Sequence, residues 1–492
     1  MSQKYRCYVN SREQDIHEVR VSAAPINHVW PGFQRSLGQS EPGWFTTFDM
    51  AEPALVEVEV AGMEISSAEV RPAHAVREFQ QNGHRISFVL ERPQQVTLLV
   101  NGLHDALHIF ANPPFEYEPK EGDIYFGPGE HDAGLILPRS GQRVCIDAGA
   151  VVHGAILIHE AENVTVTGRG VLDSSRIKCP KEAKAGEEGG EVMEAIAKLG
   201  FDFEKWLVGG NLVIYHSRNV KIEGIVLTDS PSWSVIARNG CRDLLFDNIK
   251  IVGQWRYNSD GIDICTSQDV TIRNCFIRSF DDCVVMRAPF LHGESEPVRN
   301  VVTEHCVLWC DWGKNLEIWC GEKRALVEDI VFRDLDLIHL THYAISITTT
   351  YGSDSALVRK VLYEDIRICT EEFYPKPLFR IEDCPDYPLS QQENLPWLAV
   401  LNRGPMGRNL GNQHCEEATS LEGYHLRYQD ITLKGVKIAR RPLSILLKGE
   451  PPLLEIADVR IQDCDCSDIC ANSVENLNIS KDGTAVSRIL FG

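Results

Sequence analysis

Apolar and polar residues alternate over short segments that recur along most of this 492-residue chain. Each segment begins at an Asn, Asp or Lys, as in NVKIEGIVL from Asn219. The segments begin at Asn163, Asn219, Asp243, Asp269, Asn300, Asp329, Lys360, Asp430 and Asp458. From Asn219 to Lys360 the successive starts are 24, 26, 31, 29 and 31 residues apart. Alternation predicts short strands with one inward face, and the repeat length is that of one coil of a β-solenoid.

The segments between the repeats favour a solenoid over a fold built from βαβ units. Such units need a helix in each crossover, and these gaps lack the periodicity of an amphipathic helix. Stacked coils bury the apolar face that a single coil would expose. We therefore predict an all-β protein whose main domain, residues 116–492, is a parallel β-solenoid.

Three regions interrupt the repeat. Residues 1–115 contain alternating runs divided by Pro, Gly and Asn, which predict a small N-terminal β-sandwich-like domain. We expect this domain to pack against the N-terminal end of the solenoid and cover its unpaired edge. Insertions at about 174–210 and 371–427 divide the coils. Loops of this length inside a compact domain are usually functional. We expect that both insertions can close one end of a groove on the solenoid.

The composition of the chain limits the classes of molecule that it can bind and the compartment in which it is expected. The net charge of −21 argues against nucleic acid and against an anionic membrane surface. No apolar run reaches the roughly 20 residues that span a bilayer, and the first residues lack an apolar signal core, which predicts a cytoplasmic location. The 16 cysteines do not pair by spacing, so we expect reduced, structural thiols. We predict no metal site and no cofactor, and a homo-oligomer remains possible.

Two acidic motifs lie on successive repeats, NSDGID at residues 258–263 and SFDDC at residues 279–283. Equivalent positions of stacked coils converge, so Asp260 is expected to face the adjacent pair Asp281 and Asp282. Adjacent carboxyls repel when both are ionised, which separates their pKa values. One protonated carboxyl and one carboxylate are what an inverting glycosidase requires. An Asp-Asp pair alone is more often a solvated turn, but NSDGID on the preceding repeat favours catalysis.

These motifs, together with GRGVLD, DSPSWSV and the run from Asp123, resemble the polygalacturonase family, glycoside hydrolase family 28, over about residues 120–370. The resemblance implies a right-handed parallel β-helix of the pectin-lyase type and hydrolysis of glycosidic bonds with inversion. It implies that Asp281 is the general acid and that Asp260 and Asp282 activate water. It also implies that Asn258 lines the catalytic subsite.

Two segments depart from the family pattern. The family segment GHGISIGS aligns with residues 313–320, where Lys314 replaces the histidine. The family segment RIK, which grips the galacturonate carboxylate, aligns with Ser346, Ile347 and Thr348. Arg and Lys are natural ligands of a carboxylate, whereas two hydroxyls are not. The substitutions therefore argue against galacturonate. The dextranase and isopullulanase family has a similar helix and acidic centre and cuts neutral glucans, which illustrates the alternative.

Further substrate-binding candidates surround the acidic motifs. The indole faces of Trp255 and Trp319 suit the apolar faces of sugar rings. The charged candidates are Arg287, Lys314, Glu317 and Glu322. For each of them, a solvated charge on a loop is an equally good interpretation. Glu317 lies between two apolar residues, so alternation points it into the groove. It would replace Asp260 as the base if Asp260 were too distant.

The sequence predicts an inverting glycoside hydrolase that acts on oligosaccharides or polysaccharides. Exo-type release of a terminal, uncharged sugar is expected, because a cytosolic enzyme meets short imported substrates and the insertions can close the groove. Two alternatives stay open. One is a polysaccharide lyase that uses Lys314 or Arg287 as its base, and the other is a noncatalytic carbohydrate-binding solenoid.

Overall fold

The structure is a computed structural model. It describes residues 4–23, 40–177, 210–256, 258–288, 296–320, 324–340, 343–349, 355–369, 397–403, 425–439, 445–448, 454–464, 478–479 and 486–492. Most of both predicted insertions, at 174–210 and 371–427, therefore lies outside the described residues.

Two five-stranded sheets form the N-terminal part of the chain, between Tyr5 and Asn112. The first sheet contains β1 (Tyr5–Val9), β2 (Arg12–Gln14), β5 (Ala54–Val60), β7 (Arg77–Asn82) and β8 (Arg85–Leu90). Their spatial order is β2-β1-β5-β8-β7. The second sheet contains β3 (His17–Ser22), β4 (Ser40–Asp49), β6 (Ala68–Arg71), β9 (Gln94–Val100) and β10 (Leu107–Asn112). Their spatial order is β3-β4-β10-β9-β6. A short 3-10 helix spans Ala73–Ala75. The sheets share an apolar core, as expected for a sandwich.

The other 29 strands form the parallel solenoid, and each coil contributes to three stacked sheets. Sheet 1 contains β11 (Ile124–Phe126), β13 (Arg143–Ile146), β15 (Glu162–Gly168), β18 (Arg218–Glu223), β21 (Arg242–Asp247), β24 (Gln268–Arg273), β27 (Val298–Glu304), the first halves of β30 (Ala325–His339) and β32 (Ser355–Cys369), β34 (His425–Lys434), β37 (Leu454–Gln462) and β39 (Val486–Phe491). Sheet 2 contains the first halves of β12 (Gly129–Ile136) and β14 (Ala150–His159), β16 (Val171–Asp173), β19 (Val226–Thr228), β22 (Lys250–Ile251), β25 (Phe276–Ser279), β28 (Val307–Cys310), the second halves of β30 and β32, and β35 (Lys437–Ala439).

Sheet 3 positions the candidate site. It contains the second halves of β12 and β14, then β17 (Leu212–Tyr215), β20 (Val235–Arg238), β23 (Ile262–Cys265), β26 (Val284–Ala288), β29 (Lys314–Cys320), β31 (Tyr343–Thr349), β33 (Trp397–Arg403), β36 (Ile445–Lys448) and β38 (Asn478–Ile479). The predicted all-β fold, a right-handed parallel β-helix beside an N-terminal sandwich, is confirmed.

The residues that open the repeats share one backbone conformation. Every repeat start predicted from the sequence, from Asn163 to Asp458, has a φ between 50° and 59°. Asn and Asp tolerate this left-handed region better than most residues. Neighbouring coils are joined at these positions, since Asn300 Nδ2 donates to Asp269 Oδ1 at 2.7 Å. The repeated Asn or Asp therefore marks the same bend in sheet 1 of each coil.

The N-terminal sandwich lies along the side of the solenoid, so the prediction that it covers the N-terminal end was wrong. Phe45 and Phe110 of the sandwich pack with outward residues of sheet 2, among them Val226, Phe276 and Trp309. Strands β19, β25 and β28 are buried throughout. Sheet 2 therefore carries apolar residues on both faces and needs a second partner besides the solenoid core.

The cysteines that the structure describes as free include nine buried ones, and several of these pack in the solenoid core. Among the described residues, no helix has the length and apolar character to cross a bilayer.

Candidate active site

The acidic motifs lie where the chain turns from sheet 2 into sheet 3. Asp260 precedes β23, and Asp281 and Asp282 precede β26 on the next coil. The coils are locked in register at this turn, because Gly261 N donates to Asp282 O at 2.7 Å. Asp260 and Asp282 therefore occupy stacked positions, as the sequence predicted.

Outward positions of sheet 3 extend the site across successive coils. The strand register places Asp263, Val285, Glu317 and Ser346 in one row. It places Cys265, Arg287, Trp319 and Thr348 in the adjacent row. The intervening residues of each strand point into the solenoid core. Alternation along the strands thus directs the charged residues to one outer face.

Two glycines allow the carboxyls to approach one another. A Cβ atom at Gly261 would lie 2.2 Å from Cys283 O, so only glycine fits between these coils. A Cβ atom at Gly313 would lie 2.6 Å from Oδ1 of both Asp281 and Asp282. Gly313 is therefore part of the floor beneath the acid pair, and any larger residue there would displace both carboxyls.

Four Asp carboxyls are buried together in this site. Their fractional exposures are 1% for Asp260, 0% for Asp263, 7% for Asp281 and 4% for Asp282. Ionised carboxyls in such a position require paired charges or bound protons. The cations that contact them therefore decide which carboxyls are ionised.

Arg287 is the first of these cations. Its Nε lies 2.6 Å from Asp263 Oδ1, and its Nη2 lies 2.8 Å from Asp260 Oδ2 and 3.8 Å from Asp282 Oδ2. Burial lowers the pKa of Arg287, but Asp263 and Asp260 raise it more, so the guanidinium stays charged. The Arg287 Cζ atom lies 4.3 Å from the ring centroid of Trp233 and 5.3 Å from that of Trp319.

Lys314 is the second cation. Its Nζ lies 3.4 Å from Asp282 Oδ1, and its backbone N–H donates to the same oxygen at 2.8 Å. Burial lowers the pKa of Lys314, but Asp282, Glu317 and Asp281 together raise it above its ordinary value. Asp282 is therefore paired with a buried cation.

Asp281 differs from its neighbours. Its Oδ2 accepts a hydrogen bond from Asn258 Nδ2 at 3.3 Å. Within the described part of the chain, no Lys, Arg or His nitrogen lies within 4.0 Å of its carboxyl. Burial, followed by repulsion from Asp282, raises the pKa of Asp281 to about 7, although Lys314 and Arg287 oppose the shift. Asp281 is thus suited to remain protonated near neutral pH.

Burial also raises the pKa of Asp263, to about 6, and that of Asp260 well above its ordinary value, against the effect of Arg287. The carboxyls titrate as one cluster, so their protons settle where the contacts favour a neutral group. Asp260 and Asp282 each contact a cation, whereas Asp281 contacts an amide. Judged by these contacts, Asp281 is the carboxyl of the three with the least support for a negative charge.

Glu317 lies beside this cluster on β29. It is 1% exposed, and Thr348 Oγ1 donates to its Oε1 at 2.6 Å. Burial raises the pKa of Glu317 and Lys314 lowers it, with a net rise. Ser346 is the register partner of Glu317 on the next coil. The structure therefore places Glu317, Ser346 and Thr348 together.

The remaining candidates have different surroundings. Trp319 is partly exposed and lies against Arg287, and Arg287 itself is occupied by carboxylates. Trp255 is 7% exposed and its ring lies 5.7 Å from Arg256 Cζ, which leaves little of the indole for a ligand. Glu322 lies outside the described residues.

Asp263 and Gly313 lie within the motifs predicted to form the site, but the sequence patterns assign no role to either residue. Asp263 stands between Ile262 and Ile264, the same apolar-acidic-apolar pattern that pointed Glu317 into the groove. Trp233 is buried, and its ring lies against the Arg287 guanidinium. Among the described residues, no group of His, Cys, Asp and Glu side chains is arranged to hold a metal ion.

Together, the fold and the site define a parallel β-helix with a buried carboxyl cluster on one outer face. The model of glycosyl hydrolases family 28 matches residues 208–376, which include every described site residue. The resemblance to this family that the motifs indicate is confirmed over these coils.

Individual relatives are distant. The chain is 24% identical to an exopolygalacturonase of Cochliobolus carbonum, and the match covers 28% of this chain and 39% of that protein. The chain thus spans well under half of that relative's length. The structure of Dex49A from Penicillium minioluteum is similar over 99% of this chain and 94% of its own, with a TM-score of 0.55 and 12% identity. A hyperthermoactive exopolygalacturonase from Thermotoga maritima aligns over 70% of this chain and 79% of its own, with a TM-score of 0.49 and 16% identity.

Proposed function

We propose that this protein is an inverting glycoside hydrolase that releases uncharged sugar units from oligosaccharides. The observation that carries the proposal is the distribution of cations among the buried carboxyls. Arg287 contacts Asp260 and Lys314 contacts Asp282, whereas Asp281 is hydrogen-bonded to the amide of Asn258. One neutral acid beside two carboxylates is the set of groups that inversion requires.

In the proposed reaction, Asp281 donates its proton to the glycosidic oxygen as the bond from that oxygen to the anomeric carbon breaks. Asp260 and Asp282 accept a proton from the water whose oxygen attacks the anomeric carbon from the opposite face. Asp260 Oδ1 is buried and has no hydrogen-bond partner among the described residues, so it can receive that water. Transfer of one proton from the base to Asp281 by way of solvent restores the starting state.

The uncharged substrate is inferred from Glu317, Ser346 and Thr348. Ser346 and Thr348 occupy the positions at which the family motif carries the Arg and Lys that bind galacturonate, and Glu317 lies beside both on the preceding coil. A sugar carboxylate placed there would lie against Glu317, which is already hydrogen-bonded to Thr348. Like charges at this separation repel. A sugar hydroxyl, in contrast, can donate to Glu317 Oε2, which is buried and has no hydrogen-bond partner among the described residues.

A polysaccharide lyase is disfavoured by the state of its candidate bases. A base must be unprotonated to remove the proton from carbon. The pKa values of Lys314 and Arg287 are both raised by the neighbouring carboxylates, so both remain cations. The noncatalytic alternative does not account for the pKa of about 7 at Asp281 beside two ion-paired acids.

Exo-type action is part of the proposal. The family relative from Cochliobolus carbonum is named an exopolygalacturonase. The insertions at 174–210 and 371–427 flank the coils that carry the site in sequence and supply enough chain to close one end of a groove.

A substrate panel tests this proposal. The protein is incubated with matched neutral and galacturonate oligosaccharides of about six units, and Asp281→Asn serves as the inactive control. We expect stepwise shortening of a neutral substrate by one unit, and a loss of about 10² to 10⁴-fold in the variant. Equal activity of the variant would overturn the assignment of Asp281. Preferential cleavage of galacturonate would overturn the substrate class, and early mid-length fragments would indicate an open groove.

A further inference from the structure

A second buried acid lies behind the proposed base. Asp263 is fully buried and faces Arg287 across one coil spacing, with Arg287 Nε 2.6 Å from Asp263 Oδ1. The same guanidinium contacts Asp260 at 2.8 Å through Nη2. The order along this chain of contacts is therefore Asp263, Arg287 and Asp260. Asp263 itself does not need to touch a substrate to influence Asp260.

Two indoles hold the guanidinium in place. Trp233 precedes β20, two coils before the coil that carries Arg287. Trp319 lies on β29, on the coil that follows Arg287. Their ring centroids are 4.3 and 5.3 Å from the Arg287 Cζ atom. An aromatic face favours a cation and excludes water from it, and the planar fork of an arginine can then satisfy two carboxylates at fixed angles. A lysine could make neither the stack nor both contacts.

We propose that Arg287 is a positioning residue that favours the carboxylate form of Asp260, the proposed base, with Asp263, Trp233 and Trp319 fixing its guanidinium. The inference rests on the proposed function and adds to it the group that separates the base from the acid. Sequence position pointed to Arg287 as a substrate ligand, but its donors are directed to Asp263 and Asp260.

Other charged or titratable groups face this arrangement from the packed strands, and two of them, Asp281 and Asp282, raise the pKa of Asp260 directly. These groups are Arg238 on β20, Cys265 on β23, Asp281 and Asp282 before β26, and Lys314 and Glu317 on β29. Arg287 is the described cation in direct contact with Asp260. Removing Arg287 should therefore shift the titration midpoint of Asp260 more than changes at the more distant groups do.

The test measures the titration of Asp260 without any substrate. Carbon-13 NMR of Asp side-chain carboxyls follows the protein through pH, and the Asp260 signal is assigned by its loss in Asp260→Asn. In Arg287→Gln we expect the Asp260 midpoint to rise by about one to three pH units, because an opposite charge within 4–6 Å shifts a carboxyl by that amount. Arg287→Lys should give an intermediate midpoint.

A second variant keeps the proposal testable if Arg287→Gln fails to fold. Asp263→Asn removes a negative charge that competes for Arg287 and repels Asp260. The Asp260 midpoint is then expected to fall, in the opposite direction to the change in Arg287→Lys. An unchanged midpoint in both folded variants would overturn the proposal.

Arg278→Lys is the matched control. Arg278 is also buried, pairs with Asp311 at 3.2 Å and lies 4.4 Å from a tryptophan ring, but it faces the N-terminal sandwich from sheet 2. This substitution should lower stability and leave the Asp260 midpoint unchanged. A midpoint that moves equally in the control would mean that general loosening, rather than Arg287, is responsible.

On a hydrolysed oligosaccharide, the acidic limb of the kcat/KM profile should follow the NMR midpoint in each variant. If Asp281→Asn abolishes hydrolysis while the Arg287 variants leave that limb unmoved, this inference fails and the proposed function stands. If Asp281→Asn retains full activity, the proposed function fails, and the NMR midpoints still decide the role of Arg287.

Discussion

Replacing Asp281 by Asn is expected to stabilise the protein at alkaline pH, although it should remove activity. The side chain is 7% exposed, and burial with repulsion from Asp282 raises its pKa to about 7. Asn has the same shape without the charge and still accepts a hydrogen bond from Asn258. The substitution therefore removes an electrostatic penalty and leaves the packing intact.

The magnitude follows from the difference between the folded and unfolded states. The ordinary pKa of the Asp is 3.8, and the folded value is about 7. Between these values the folded state keeps a proton that the unfolded state has lost, so the free energy of unfolding falls as pH rises and levels off above about pH 7. At 1.36 kcal/mol per pH unit, the penalty is about 4 kcal/mol at pH 8 and about 2 kcal/mol at pH 5.

Thermal unfolding at the two pH values measures the difference. An unfolding entropy of about 2 cal/mol/K per residue corresponds to about 1 kcal/mol/K for a chain of this length. The gain in Tm on Asp281→Asn should therefore be about 2–3 °C larger at pH 8 than at pH 5.

Asp282→Asn is the matched contrast. Asp282 faces Lys314, so its neutralisation removes the carboxylate that this buried cation contacts and should lower Tm at both pH values. An Asp281→Asn variant that is destabilised as much at pH 8 as at pH 5 would refute the argument that this buried carboxyl is held protonated.

Three further predictions follow from the geometry. Gly313→Ala should abolish most activity while circular dichroism shows an intact β-fold, because the new methyl group displaces both carboxyls of the acid pair; full activity would contradict the described floor. Asn300→Ala should lower the free energy of unfolding, measured with denaturant, by about 1–2 kcal/mol, and Asn300→Gly should lower it by less, because φ at this position is 53°. Equal losses in the two variants would indicate that the hydrogen bond to Asp269 is responsible instead. NMR at early reaction times should show the inverted anomer, and a retained anomer would require closer carboxyls and a covalent intermediate.

Much of the fold could be predicted because one signal repeats. Alternation identifies the strands of sheet 1, and the left-handed bend requires an Asn, Asp or similar residue at the same phase of each coil. The position of the sandwich could not be predicted by this signal alone. Short apolar runs such as Val226–Thr228 and Val307–Cys310 reveal that sheet 2 is buried on both faces, but they do not identify what covers it.

The carboxyls of the site could be predicted because the acids are adjacent or one coil apart. Their partners could not, since the contacts of Arg287 with Asp263 and Asp260 depend on the strand register between coils. Charge alone made Arg287 a candidate substrate ligand. The structure shows that its Nε and Nη2 atoms already contact carboxylates. Sequence patterns do not reveal such contacts.

The central claim is that Asp281 delivers the proton to the leaving oxygen, and leaving-group dependence tests it most directly. Wild type and Asp281→Asn are compared on two aryl glycosides of the hydrolysed sugar, one with a phenyl and one with a dinitrophenyl leaving group. A dinitrophenolate departs without a proton, so the variant should lose about 10² to 10⁴-fold in kcat/KM on the phenyl glycoside and remain within about tenfold of wild type on the dinitrophenyl glycoside. Equal losses on both substrates would contradict the claim.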